Sequence, residues 1–124
     1  MYNVPAATYT VTVISNPGTP PPDNVYQING VTQQSLTFVE GNTYRFDLSD
    51  ASNSGHPLSV GREDGGTLST DIAAVSYGTA GTDGAFVDII VKPGTAGEVA
   101  DYICTNHANM GSGITITTGT AGNY

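Results

Sequence analysis

Apolar and polar residues alternate one for one along short runs of this chain, and each run is closed off by glycine or proline. That period of two excludes a helical fold more firmly than any other property of the sequence. Residues 8–14 read Thr-Tyr-Thr-Val-Thr-Val-Ile, which puts Tyr9, Val11 and Val13 on one face and threonines on the other. Residues 43–48 repeat the pattern, with Tyr44, Phe46 and Leu48 facing inward and Arg45 and Asp47 facing out. Further strands are expected at 25–28, 35–39, 56–60, 86–91, 99–104 and 114–117. The run 86–91 is the most apolar, as a central strand would be. Asn29-Gly30 is a hairpin signal, and the proline-rich stretch 16–23 is a rigid connector that no central strand tolerates. Residues 62–84 are rich in Gly, Thr, Ser and Asp and read as a long exposed loop or interaction surface, with a single helical turn expected around 71–75. About eight short strands with Gly/Pro turns between them make an all-β sandwich or barrel.

Composition agrees. The 124 residues hold 16 Gly and 17 Thr, with no Trp; threonine and tyrosine favour strands, and little in the chain favours helix. The length suits one domain over 1–124. No apolar run is long enough to span a bilayer as a helix, and no membrane partner is expected.

Eleven acidic residues against Arg45, Arg62 and Lys92 give a net charge of -8. Binding to phosphate backbones needs clustered Lys and Arg, so no nucleic-acid partner is expected. The first residues lack the basic start and apolar run of a secretory signal, which points to a product that works or assembles inside a cell. A periplasmic location follows only if a leader has been removed.

The single cysteine, Cys104, forms no internal disulfide. It opens the segment Cys104-Thr105-Asn106-His107-Ala108-Asn109-Met110-Gly111, where Cys104, His107 and Met110 recur at steps of three in a turn between two strands. The other histidine, His56, stands at a loop-to-strand junction upstream. One cysteine, two histidines and a weakly held methionine form the ligand set of a blue-copper electron-transfer site. The chain has one Cys, two His and one Met besides Met1, so every residue of these types belongs to the pattern. Zinc is the weaker alternative, since methionine is a poor zinc ligand. The plainer alternative leaves Cys104 as a small buried apolar residue.

Over nearly its full length the chain resembles a cupredoxin. It is most similar to a cupredoxin-like group with Tyr-x-Ile-x-Gly (Tyr26, Ile28, Gly30), Gly-His-Pro-Leu (Gly55, His56, Pro57, Leu58) and Tyr-x-Cys-x-x-His-x-x-Met-Gly (Tyr102, Cys104, His107, Met110, Gly111). The resemblance implies a Greek-key β-sandwich. It also implies a mononuclear copper site in which His56, Cys104 and His107 are equatorial ligands and Met110 is axial. Two features depart from the blue-copper pattern. Pro57 follows His56, so the backbone N–H that often donates to the ligand sulfur is absent. The His-x2-Met spacing is also two residues shorter than in plastocyanin-like proteins, and is similar to that of binuclear copper domains, which need a second cysteine.

Versions of the same motifs resemble domains of marine bacteriophage virion proteins. The function this implies is a structural or decoration protein of a phage virion, possessing a site for copper and contacting other virion proteins or copies of itself. The alternative is a soluble copper protein that passes electrons to a redox partner protein. Neither expectation is an enzyme.

Overall fold

A computed structural model describes residues 4–15 and 24–119, so the proline-rich connector at 16–23 lies outside the described residues. Ten strands and one short 3-10 turn make up the described chain: β1 (Ala7–Ser15), β2 (Asn24–Ile28), β3 (Val31–Thr32), β4 (Leu36–Val39), β5 (Thr43–Asp47), η1 (Ala51–Asn53), β6 (Leu58–Gly61), β7 (Ile72–Tyr77), β8 (Phe86–Val91), β9 (Val99–Cys104) and β10 (Ser112–Thr117). They form an all-β sandwich of two mixed sheets. The six-stranded sheet runs β3-β2-β1-β5-β8-β7 and the four-stranded sheet runs β4-β10-β9-β6. Each sheet has one parallel pair, β1 with β5 and β4 with β10.

The alternating residues face as their sequence requires. Val11 is fully buried, and Tyr9 and Val13 pack partly buried against the core. Tyr44, Phe46 and Leu48 are buried, and Arg45 and Asp88 pair across the outer face at 2.8 Å. The core between the sheets is aromatic: Phe38 stacks on Tyr44 with ring centres 3.9 Å apart, and Phe46 touches Tyr9, Phe38 and Tyr102. Each such ring contributes about 2–3 kcal/mol through burial alone. The Asn29-Gly30 turn joins β2 to β3 with φ of 50° and 82°, the double left-handed geometry of a tight hairpin.

Two expectations need correction. Residues 71–75 form no helical turn; Ile72–Tyr77 is β7, paired along its length with β8. The glycines and threonines on either side masked a strand whose own residues, Ile-Ala-Ala-Val-Ser-Tyr, alternate too weakly to stand out. Together with the two-residue β3, this raises the strand count above eight. Strand β8 lies inside its sheet, paired with β5 on one side and β7 on the other, as its apolar run requires. Second, the strand expected at 56–60 starts at Leu58, which leaves His56 in the loop ahead of it.

That loop is tied to β1. Strand β1 pairs with β5 over Ala7–Thr10 and then diverges from it. Beyond the divergence, side chains from η1 take over β1's open backbone groups. Val13 N donates to Ser52 Oγ at 2.9 Å, and Asn53 Nδ2 donates to Val11 O at 2.8 Å. Asp50 caps the turn by accepting from Ser52 N and Ser52 Oγ.

Candidate metal centre

Strands β6 and β9 run antiparallel with Leu58 opposite Cys104. The ladder continues one step further, since Thr105 N donates to Pro57 O at 3.0 Å. His56 and His107 therefore emerge together from two loops at the same end of the sandwich. Asn106 Nδ2 joins the loops again by donating to Gly55 O at 3.0 Å.

The donor atoms converge. Cys104 Sγ lies 3.6 Å from His107 Nδ1 and 3.9 Å from His56 Nδ1. The ligand atoms of all three residues lie within 4.8 Å of one another, and the two imidazole rings are 4.8 Å apart at 42°. One ion bound to sulfur at about 2.3 Å and to nitrogen at about 2.0 Å separates those atoms by about 3.5–3.7 Å, for angles between tetrahedral and trigonal. The observed S···N distances match that geometry to within a few tenths of an ångström. The site thus suits a single metal ion. Cys104 is buried, His56 is half-buried and His107 is exposed, which gives a sulfur shielded from water behind one open imidazole edge.

Met110 is fully buried in the same core cluster as Cys104, three residues beyond His107. Gly111 follows it because any Cβ there would run into the carbonyl oxygen of Tyr102. Burial pushes the His56 imidazole below its ordinary pKa, and the neighbouring His107 pushes it further in the same direction. A neutral imidazole is the form that binds metal.

Several residues support the site through hydrogen bonds, a role that the sequence alone did not assign to them. Asn53 is fully buried, and its carbonyl accepts from His56 N at 2.8 Å. Its Oδ1 has no hydrogen-bond partner among the described residues. Glu63 Oε1 accepts from Asn109 N at 3.1 Å, and Tyr26 donates its phenolic hydrogen to His56 O at 2.8 Å. Burial holds the Tyr26 phenol far above its ordinary pKa, and the nearby Cys104 adds to that shift, so the phenol remains a donor at any working pH. Tyr102 is fully buried and donates to Gln34 O at 2.7 Å, which makes it a core residue.

Comparison of the chain with protein families, with curated proteins and with solved structures found no match.

Proposed function

We propose that this protein binds one copper ion through His56, Cys104 and His107, with Met110 as a fourth, weaker ligand, and passes single electrons. The observation that carries the reading is the convergence of a buried thiol and two imidazoles at one-ion distances. Thiolate and thioether suit Cu(I), while imidazole suits both oxidation states. Copper held there supplies one-electron chemistry between Cu(I) and Cu(II). The chain's own residues supply the rest: Cys104 is shielded from solvent, the β6–β9 ladder holds both loops, and His107 offers an exposed edge toward a redox partner. The two-sheet frame and its one parallel pair per sheet support a cupredoxin-like reading of the fold. Loading the reduced protein with one equivalent of Cu(II) tests the proposal through its visible absorption, with the His56→Ala and Cys104→Ser variants as controls.

A second reading, the decoration protein of a phage virion, is favoured by a different observation. Strand β7 is one of the two edges of the six-stranded sheet among the described residues, contains no charged residue, and exposes Val75 and Tyr77. Natural edge strands are usually blunted by charge or proline, so an edge of this kind suits contact with other virion proteins or with a second copy. Copurification with large particles at fixed copy number supports this reading, and a free monomer alone contradicts it.

A further inference from the structure

Three consecutive backbone carbonyls around Met110 all accept hydrogen bonds from one place. Gln33 Nε2 donates to Asn109 O at 3.0 Å and to Gly111 O at 3.1 Å. Tyr26 N donates to Met110 O between them at 2.9 Å. Both donors sit on the β2–β3 hairpin and its exit, and they are joined to each other through Gln33 N and Tyr26 O at 2.9 Å. The grip has a conformational cost at Gln33, held at φ 46° in left-handed geometry that a glutamine adopts rarely; Asn109, at φ 63°, is of a type that takes this geometry more readily. The same Tyr26 reaches the other ligand loop through its phenol, which donates to His56 O at 2.8 Å.

We infer that Tyr26 and Gln33 are the positioning residues of the centre, a clasp on a separate hairpin that sets where His56 and Met110 stand relative to Cys104. The inference rests on the copper reading for its effect on the metal, though the clasp itself belongs to the metal-free protein. Pro57 sharpens the point. It leaves the segment after His56 without a backbone N–H, and the Tyr26 phenol fixes the His56 carbonyl directly, between the bonds that Asn106 Nδ2 makes to Gly55 O and Thr105 N makes to Pro57 O. Groups outside the ligand set tune a metal centre by orienting its ligands, and losing one typically costs about 10–100-fold in metal affinity.

Two near-isosteric variants separate this role from general stability. Gln33→Glu removes both N–H donors from a partly exposed side chain, and Tyr26→Phe removes one hydroxyl from a ring that stays packed. Gln34→Glu, which adds the same charge one residue away, is the control. With Cu(II) titrated into each protein, Gln33→Glu and Tyr26→Phe are expected to bind about tenfold more weakly or worse, with a displaced thiolate-to-copper absorption band and altered copper hyperfine splitting in electron paramagnetic resonance. Gln34→Glu should match the wild type. Wild-type spectra and affinity in both clasp variants would overturn the inference.

If the wild type takes up no copper, the copper reading fails and the clasp is judged on the metal-free protein. Alkylation of the buried Cys104 thiol is then expected to run severalfold faster in both clasp variants than in the wild type and Gln34→Glu. Equal rates overturn it.

Discussion

Leu58 and Cys104 face each other at the end of the β6–β9 ladder, and this pairing determines where the candidate site forms. Cys104 ends its strand as a buried residue, so its side chain points between the sheets. His56 lies two residues before Leu58 and His107 three residues after Cys104, so both fall just past the last rung. A register shift of one residue would turn Cys104 toward solvent and disperse the set.

The supporting turn is open to test at Asn53. Its side chain satisfies Val11 O and Asp50 O, and its backbone oxygen holds His56 N. Asn53→Ala leaves the Val11 carbonyl without its partner and should cost about 1–3 kcal/mol in denaturant unfolding. Copper uptake should weaken as well. A variant as stable as the wild type would mean that the turn is held by other contacts.

The ligand loop makes a sharper steric prediction. Gly111→Ala drives a methyl group into the Tyr102 backbone, which cannot yield as a flexible side chain would. A loss of about 3 kcal/mol or more is expected. The matched control is Gly113→Ala, where the nearest atom to the new Cβ is Asp101 Oδ1 at 3.8 Å. Thermal unfolding of the pair should separate them clearly, and equal melting temperatures would contradict the close approach.

Much of this architecture was legible in the sequence, and the parts that were not share a physical cause. Period-two runs such as Tyr44-Arg45-Phe46 announce which face is buried, because one side of each sheet meets the core and the other meets water. Cys104, His107 and Met110 announce themselves by chemistry and spacing. The strand β7 escaped because Ala73, Ala74 and Ser76 carry little hydrophobic contrast, while the edge position that makes them tolerable is a property of the whole sheet. The roles of Gln33 and Tyr26 were not legible for another reason. Their role lies in hydrogen bonds to carbonyls more than 70 residues away for Gln33, and no local pattern encodes a backbone partner so distant.

A pH dependence follows from His56. Desolvation, and then the neighbouring His107, hold its pKa in the folded metal-free protein below the ordinary 6.5. The unfolded chain therefore binds the proton first as pH falls, and unfolding gains protons in that window. Stability owed to this group is fully present above 6.5 and declines as pH falls through the window below it. Between about pH 7.5 and pH 5, the melting temperature of the apo protein should drop more in the wild type than in His56→Gln. Identical drops would show that His56 titrates as it does in the unfolded chain.

The most direct measurement is the visible absorption and electron paramagnetic resonance of the reduced protein after one equivalent of Cu(II). An intense thiolate-to-copper band at one copper per chain, lost in Cys104→Ser and in His56→Ala, is the result predicted here. A protein that stays colourless with copper left free in solution would contradict the copper centre, and the assembly reading of the fold would then stand in its place.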